Sequence, residues 1–508
     1  MGKHEVIVIG SGIGGLAAAA ALAKRGRRVL VLERHSILGG LTQTFRRGEY
    51  TFAVGVHYIG GVGDVPGPDG AFGRLLAHLT DGRLRFAPIG SPYDIIRLPG
   101  LEFPVEAPRA AFVARLKGTF PREIESIDAY FEACDAAKRS ATAAFAANGA
   151  PGALASVMGW INAGRRHRAI ATTTADATSA IRDPRLAALL CARWGDYAIP
   201  PERSPLAVHA TVLGSYDAGA FYPVGGPAQF ASCLAETIRA AGGELRTGAT
   251  VKGIRVDKGR AVGVELADGT QIGAPDIVSD MGALNTVASL PQGVGEEWRH
   301  EVEALASTLS YVSLYLGLRG DIRALGASPA NVWIYESEHV GRIWDRPLDD
   351  PAPGLFVSFP TLKDPSHRDH LHHTAEVTVP CRWQAFERWE GGTPRHRTPL
   401  YEANKSQLEA RLLAQFKHHF PRLAPHIDYH EVSTPLSQAF FVGAHRGAMA
   451  GLEMSRKRFE SEALRVRTPV PGLFLAGQDA ASLGVQGAFM GGYMAAAAIE
   501  PRLWAQMA

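Results

Sequence analysis

Two short apolar runs flank an Ala-rich segment near the start of the chain. Glu5–Ile9 and Arg28–Leu32 carry successive Val, Ile or Leu residues of the kind that form buried strands. Leu16–Lys24 is rich in Ala and lacks Gly and Pro, which favours a helix. The pattern predicts strand, helix and strand in succession, the unit from which a parallel sheet covered by helices is built.

The same order of strand and then helix returns near the end of the chain, at Leu473–Ala476 and Gly484–Ile499. Between the two units, the pattern predicts one helix and several strands, at Ala228–Ala241, Leu245–Thr247, Thr250–Ile254, Asp276–Ser279, Tyr311–Leu318, Leu355–Pro360 and Ala375–Val379. The Asp268-Gly269 pair predicts a hairpin turn after the strand Ala261–Leu266. The sequence therefore indicates an α/β protein.

Residues 101–213 have a different character from the segments on either side. Helical patterns occur at Ala111–Leu116 and Ile124–Phe131, and a long Ala-rich stretch covers residues 133–174. We interpret this part as a mainly helical insertion that covers the substrate side of the protein.

Composition narrows the class of protein. The 508 residues suggest about three domain-sized units. The apolar fraction of 46% is globular, and a net charge of +3 gives no electrostatic case for nucleic acid. The four cysteines form neither a disulfide framework nor a zinc motif, which suits a reducing compartment. No signal peptide fits before the first strand and no apolar run is long enough to span a membrane, so we expect a cytoplasmic protein.

A glycine-rich turn follows the first predicted strand. Gly10, Gly12 and Gly15 fit G-x-G-x-x-G, in which the backbone turns tightly and a pyrophosphate sits at the helix N-terminus. Glu33 ends the second strand, 18 residues beyond Gly15, where an acidic side chain meets an adenosine ribose hydroxyl. The predicted cofactor-binding residues of this region are Gly10, Gly12, Ile13, Gly14, Gly15, Glu33 and Arg34.

Two further glycine clusters follow. Gly39-Gly40 would let the backbone approach a second part of a long cofactor. Tyr50–Gly61 indicates a strand that turns sharply between glycines and carries a His-Tyr pair. The additional candidates for cofactor binding here are Gly39, Gly40, Leu41, Thr42, Gly55, Val56, His57 and Tyr58.

Glu33, then Gly39-Gly40, then Gly55–Gly60 resemble the FAD-dependent phytoene desaturase and carotenoid isomerase superfamily. Within it, the chain is most similar to the retinol saturase branch. Five later segments extend the resemblance: Asp183–Leu186, Trp194–Tyr197, Phe221–Gly226, Thr434–Ser437 and Gly443–Ala448.

The resemblance implies a flavoprotein fold with two dinucleotide-binding domains, a Rossmann-like FAD domain and an interleaved α+β substrate domain with a helical cover. It also implies that a backbone group near Val251 contacts the adenine. The expected limits are three FAD-binding parts at 1–100, 216–285 and 456–508, a mainly helical cover at 101–215, and a substrate domain at 286–455.

The C-terminal unit suits the flavin half of FAD. Gly477 and Asp479 follow the strand, and Gly484, Val485 and Gln486 open the helix. An Asp at this position suits contacts to the ribityl chain or pyrophosphate, and the positive end of the helix faces the polar edge of the flavin.

His57 and Tyr58 are the leading candidates for catalytic groups beside the flavin ring, although a structural role in closing the glycine-rich turn is equally compatible. His445 and, less strongly, His209 are further candidates. The resemblance implies lipophilic polyene substrates and hydride transfer at flavin N5. We therefore expect an FAD-dependent oxidoreductase that saturates or desaturates a lipophilic polyunsaturated substrate, namely a retinoid, a carotenoid or an unsaturated fatty acyl chain. The alternative is a flavin-dependent polyene cis–trans isomerase. An amine-oxidase-like flavoenzyme and a non-catalytic flavin- or lipid-binding protein are the weaker alternatives.

A single complete dinucleotide fingerprint leaves no recognisable site for NAD(P)H, so the sequence predicts an external electron donor or acceptor. Residues 363–373 contain four His and two Asp, but their spacing matches no metal motif and we expect no metal. Trp160 beside the basic cluster Arg165–Arg168 is compatible with peripheral contact with a membrane surface. A core helix with a solvated basic end is the interpretation that we favour there.

Overall fold

The computed structural model describes residues 3–62, 70–149, 164, 170–345, 350–369, 371–394 and 396–507, with the backbone alone for 142–149. Its strands are β1 (Val6–Ile9), β2 (Val29–Leu32), β3 (Thr44–Arg47), β4 (Tyr50–Ala53), β5 (Phe86–Pro88), β6 (Asp94–Leu98), β7 (Leu101–Val105), β8 (Phe221–Pro223), β9 (Glu244–Arg246), β10 (Val251–Asp257), β11 (Arg260–Leu266), β12 (Gln271–Gly273), β13 (Asp276–Ser279), β14 (Ser310–Arg319), β15 (Asn331–Tyr335), β16 (Gly354–Ser358), β17 (His372–Cys381), β18 (Ile427–Ser433) and β19 (Leu473–Leu475). Its α-helices span Ile13–Lys24, Ala71–Thr80, Arg109–Thr119, Ile124–Gly149, Thr174–Thr178, Pro184–Cys191, Leu206–Gly214, Ala228–Ala240, Ala283–Ala288, Glu296–Glu303, Pro360–Lys363, Pro399–His419, Pro435–Phe441, Arg456–Glu460 and Gly484–Ile499.

A five-stranded parallel sheet has the order β19–β13–β1–β2–β9. Val6 of β1 lies beside Val29 of β2 on one side and beside Asp276 of β13 on the other. Every residue of β1 and β2 is buried, as expected for parallel strands that are covered on both faces. The strands predicted near residues 5–9 and 28–32 are confirmed.

Two helices on this sheet pack against each other, the N-terminal helix Ile13–Lys24 and the C-terminal helix Gly484–Ile499. Gly492 of the second helix lies so close to the first that a Cβ on it would overlap the carbonyl oxygen of Gly14. The two helices follow β1 and β19, which run in the same direction as their shared neighbour β13. Both helices therefore begin at the carboxyl edge of the sheet, where ligands of such folds bind.

A seven-stranded mixed sheet forms the second layer, in the order β18–β14–β17–β16–β15–β6–β7. Strands β6 and β15 pair in parallel, and the other neighbours are antiparallel. The strands predicted from residues 311–318, 355–360 and 375–379 are confirmed as β14, β16 and β17. The helix Pro399–His419 packs against this sheet through Leu408, Leu412 and Phe416.

The helices predicted around residues 111–116 and 124–131 are also confirmed. They pack on β6 and β7 in one apolar core that includes Trp194 and Tyr197. Leu101–Val105 differs from the helical expectation because the turn at Gly100, with φ +70, folds the chain back onto β6. The limits of the five domain segments stay predictions.

In the described ranges, no helix combines the length and the apolar character that crossing a bilayer requires. The segment with Trp160 and Arg165–Arg168 lies outside the described residues. Its contact with a membrane surface therefore stays a prediction.

Candidate active site

A cavity with a volume of about 1530 Å³ is lined by residues from both large sheets and their loops. A site for a single drug-sized ligand measures about 300–1000 Å³. This cavity therefore has room for a dinucleotide and a second molecule. The glycine-rich loop lies at one end, and aromatic side chains line the other: Tyr216, Trp333, Tyr335 and Phe356.

Most of the predicted cofactor residues line this cavity, although they come from separate stretches of the chain. They are Gly10, Gly12, Ile13, Gly14, Glu33, Arg34, Gly39, Gly40, Leu41, Thr42, Gly55, Val56, His57, Tyr58, Val251, Gly477, Asp479, Gly484, Val485 and Gln486. Gly15 lies behind the loop instead, where a Cβ would overlap the carbonyl oxygen of Gly10. That position matches the third glycine of the fingerprint, which allows close packing of helix and strand.

Glu33 is buried at the end of β2 and holds the glycine-rich loop in place. Its Oε2 accepts hydrogen bonds from Ser11 N at 2.9 Å and Ser11 Oγ at 2.6 Å. Its Oε1 accepts one from His35 N at 2.7 Å. A carboxylate has about four lone-pair sites, so one Oε1 site remains for a ribose hydroxyl.

We expect the Glu33→Gln variant to bind FAD about tenfold to a hundredfold more weakly, because a hydrogen bond to a charged group contributes about 1.5–3 kcal/mol. Titration of the apoprotein with FAD, followed by flavin fluorescence, measures the change. Glu49→Gln, at a surface position with 67% of its side chain exposed, is the control. Equal affinity in the two variants would remove Glu33 from the ribose site.

The C-terminal glycine segment brings Asp479 to the cavity, where its carboxylate also binds backbone groups of the protein. Its Oδ2 accepts from Ala283 N at 2.8 Å, and its Oδ1 accepts from Leu452 N at 2.9 Å. The carboxylate thus ties together three distant segments of chain around the cofactor end. A contact with a ribityl or phosphate group stays a prediction and would use its remaining lone pairs.

Asp280 is a cavity residue that the sequence interpretation missed. A Cβ on Gly12 would lie 2.5 Å from Asp280 Oδ2, and a Cβ on Gly14 would lie 2.6 Å from Oδ1. The carboxyl group therefore sits against the glycine-rich loop, at the positive end of the N-terminal helix. Burial, Glu33 and Asp479 raise its pKa to about 7. Its position directly after β13, at the carboxyl edge of the sheet, was the available signal.

His57 and Tyr58 line the middle of the cavity. Nδ1 of His57 lies 3.1 Å from Oε2 of the buried Glu376, without the alignment of a hydrogen bond. The Tyr58 ring stacks on Tyr216 with 4.7 Å between ring centroids. Burial raises the pKa of Tyr58 well above its usual range, and Asp196 and Asp94 add to the effect.

A buried polar network lies behind Tyr58, and no pattern in the sequence groups its members. Tyr58 Oη donates to Asp196 Oδ2 at 2.8 Å. Lys363 Nζ donates to the carbonyl oxygen of His57 at 2.8 Å and to Asn331 Oδ1. Burial lowers the pKa of Lys363 to about 7. Through Lys363 and Asn331, the network joins β15 of the seven-stranded sheet to the turn that carries His57.

The structure places one of the two remaining histidine candidates at the cavity and the other away from it. His445 lines the cavity, with Nδ1 3.3 Å from Ser307 Oγ, and burial lowers its pKa. The structure does not bring His209 to the cavity. Its two ring nitrogens lie 2.6 Å from Tyr130 Oη and 2.9 Å from Tyr197 Oη, and burial lowers its pKa to about 3. His209 is a core side chain because both nitrogens are already used by buried tyrosines.

Within the described ranges, no group of three or more His, Cys, Asp or Glu side chains is placed to hold a metal ion. In the His-rich segment, Asp369 Oδ2 lies 2.7 Å from His372 Nδ1, and His367 Nε2 lies 2.9 Å from the carbonyl oxygen of His372. These local bonds occupy side chains that a metal would need. The expectation of no metal stays a prediction.

The chain is similar to one family of domains and to enzymes of two kinds. Residues 8–78 match the model of the NAD(P)-binding Rossmann-like domain. All-trans-retinol 13,14-reductase from Rattus norvegicus is 31% identical, over 98% of this chain and 86% of its own. Chloroplastic prolycopene isomerase from Arabidopsis thaliana is 28% identical, over 87% of this chain and 73% of its own.

Solved structures show the same fold. Putrescine oxidase bound to putrescine superposes with a TM-score of 0.64 at 16% identity, over 98% of this chain and 99% of that chain. The predicted α/β flavoprotein fold, with a Rossmann sheet and a mixed substrate-domain sheet, is confirmed.

Proposed function

Since the chain belongs to the family of the all-trans-retinol 13,14-reductases and prolycopene isomerases, we propose that it binds FAD and saturates a C=C bond of a lipophilic polyene. Membership of this family makes it an oxidoreductase of CH–CH bonds. The observation that carries the proposal is the single cavity, which joins two helix N-termini to an end lined by aromatic side chains and Asp196.

The residues at the cofactor end fit FAD. The N-terminal and C-terminal helices begin beside each other, and neither N-cap residue makes a side-chain hydrogen bond to the helix. Helix starts of this kind suit an anion, although the Asp280 carboxyl group already accepts a hydrogen bond from Gly15 N. A Cβ on Gly40 would lie 3.3 Å from Gly12 Cα, so only glycine lets these two backbone segments approach. Gly12 and Gly14 would hold the pyrophosphate, Glu33 the ribose, and Gly484–Gln486 the polar edge of the flavin.

The opposite end of the cavity fits an apolar chain. Trp333 and Phe356 pack with 4.6 Å between ring centroids, and Tyr335 and Leu483 continue the lining. Such a surface gains free energy when it removes a polyene from water and offers few polar groups for a hydrophilic substrate.

FAD supplies hydride transfer to and from carbon when bound. The chain itself must exclude water, hold the alkene against the ring and handle the proton that accompanies the hydride. Its apolar end does the first two, and Tyr58 with its buried partners is placed for the third. An external electron donor would reduce the enzyme, a proposal supported by the absence of a second recognisable dinucleotide fingerprint in the sequence.

An anaerobic half-reaction tests the proposal. Purified protein with bound FAD is reduced with dithionite and mixed with a panel of retinoids, carotenoids and unsaturated fatty acids. We expect one class to restore the spectrum of oxidised FAD and to yield a product with two more hydrogens. A Gly12→Val protein mixed with added FAD and treated in the same way controls for reduction of the polyene by free flavin or by dithionite.

Other outcomes separate the alternatives. Bleaching of the oxidised enzyme by a polyene means desaturation, and a rearranged polyene without net reoxidation means isomerisation. Bleaching by an amine, with peroxide formed in air, assigns an amine oxidase instead. Protein that retains no FAD overturns the proposal altogether.

A further inference from the structure

We infer that Asp196 is the acid of the reaction, which gives its proton to the alkene carbon next to the one that receives the hydride. The inference deepens the proposed function and rests on it. Two observations support it. Asp196 lies on the cavity wall, and the contacts of Tyr58 and Arg193 favour a proton on Asp196 rather than on the neighbouring Asp94.

Asp196 is held rigidly at the cavity wall. It lies in the 3₁₀ turn Trp194–Tyr197, whose first and last side chains are fully buried. Trp194 Nε1 donates to the carbonyl oxygen of Val340 at 2.8 Å, which fixes the turn against the segment between β15 and β16. Asp196 itself is half-buried and lines the aromatic end of the cavity, beside Trp333 and Tyr216.

A single hydroxyl group lies between two carboxyl groups. Tyr58 Oη is 2.8 Å from Asp196 Oδ2 and 3.3 Å from Asp94 Oδ2. One O–H group donates to one acceptor at full strength, so it favours one carboxylate at a time. Two neighbouring carboxyl groups, with Asp94 buried and Asp196 half-buried, also resist double ionisation, which favours a proton on one of them.

The surroundings decide which carboxyl group keeps the proton. Arg193 Nη1 lies 3.6 Å from Asp94 Oδ2, and Asn331 Nδ2 donates to Asp94 Oδ1 at 3.2 Å. These groups favour the charged form of Asp94, whose pKa is raised by burial only to about 6. Burial and the charge of Asp94 raise the pKa of Asp196 further, to about 7.

The titratable groups around Asp196 include five tyrosines, one aspartate, one arginine and one lysine. They are Tyr58, Tyr93, Tyr197, Tyr216, Tyr335, Asp94, Arg193 and Lys363. Burial raises the pKa of each of these tyrosines, so they stay neutral near pH 7. Asp196 is therefore the group of this set that faces the cavity and exchanges a proton near neutral pH.

The two electrons of the reduction come from the external electron donor, and the proton comes from Asp196. The π bond of the alkene breaks as one carbon gains a hydride, and its two electrons form a C–H bond at the neighbouring carbon with the proton of Asp196. The O–H bond of Asp196 breaks and leaves a carboxylate that accepts the Tyr58 hydrogen bond. Repulsion from Asp94 then favours recovery of a proton from water when the product leaves.

Two measurements on the FAD-loaded protein test this. Infrared difference spectra between about pH 6 and pH 8 should show protonated carboxyl bands that disappear as Asp196, Asp280 and Asp94 ionise. Asp196→Asn should remove the share of one carboxyl group from this difference. In the anaerobic half-reaction, Asp196→Asn should slow reoxidation by the polyene about 10²–10⁴-fold, the usual contribution of a general acid. Asp196→Glu should restore part of the rate.

Asp276→Asn is the matched control, since burial also raises the pKa of Asp276 but this residue lies outside the cavity. We expect this variant to keep the wild-type band and rate. If the carboxyl bands lost between the two pH values are as intense in Asp196→Asn as in wild type, or if that variant is reoxidised at the wild-type rate, the inference is overturned and the proposed function stands. If no polyene reoxidises the wild-type protein, the proposed function fails and the inference fails with it.

Discussion

The Gly12→Val variant is expected to fold and to lose FAD completely. Gly12 has φ −58 and ψ 168, which a valine backbone adopts without strain. A Cβ there would meet the end of the Asp280 side chain, which is able to rotate away. The added methyl groups would still fill the space beside the helix N-terminus that a pyrophosphate needs.

Gly14, two residues further on, has less room for a side chain than Gly12. A Cβ on Gly14 would lie 2.6 Å from Gly477 Cα, which is backbone and has no room to move. We therefore expect Gly14→Val to fail to fold, whereas Gly12→Val keeps its thermal unfolding transition. Gly118→Val is the matched control, because that helical position has open space around it. Spectra of the purified proteins give the flavin content, and yellow Gly12→Val protein would refute the cofactor site.

The parallel sheet was predictable from sequence because its signals are local. Continuous apolar runs in β1 and β2 mark strands that are buried on both faces, and the intervening Ala run fits only a closely packed helix. The family resemblance rested on similar local strings, such as Gly55–Gly60, and it is confirmed. β7 escaped prediction because a turn at Gly100, rather than periodicity, sets its direction.

The polar network of the site was less predictable because its members are far apart in the chain. Asp94, Asp196 and Lys363 belong to β6, a 3₁₀ turn and a short helix, and the tertiary fold brings them to Tyr58. His209 shows the reverse error. A lone histidine in a helix gave no sign that Tyr130 and Tyr197 would use both of its nitrogens.

The same long-range packing places a second acid where the cofactor should bind. Asp280 faces the glycine-rich loop, and an ionised carboxylate there would repel the pyrophosphate of FAD. Because its pKa is raised to about 7, the acid is mostly neutral below that pH and charged above it. We therefore expect FAD affinity to fall as the pH rises through 7.

We expect the Asp280→Asn variant to abolish this dependence and to bind FAD about 30-fold more tightly than wild type near pH 8.5, since 1.5 pH units above the pKa cost about 2 kcal/mol. The free energy of unfolding also falls as the pH rises. An acid with a raised pKa in the folded state weakens folding by up to about 1.4 kcal/mol per pH unit between about pH 4 and 7. Apo Asp280→Asn should lack that decline.

Fluorescence titrations with FAD and urea unfolding, each at several pH values, measure both effects. Asp276→Asn is the control, because Asp276 stands at the other end of β13, away from the cavity. Its FAD affinity should follow the wild-type pH dependence. If wild-type affinity is flat from about pH 6 to 8.5, Asp280 turns away when FAD binds, and the pyrophosphate then meets the helix N-terminus without competition.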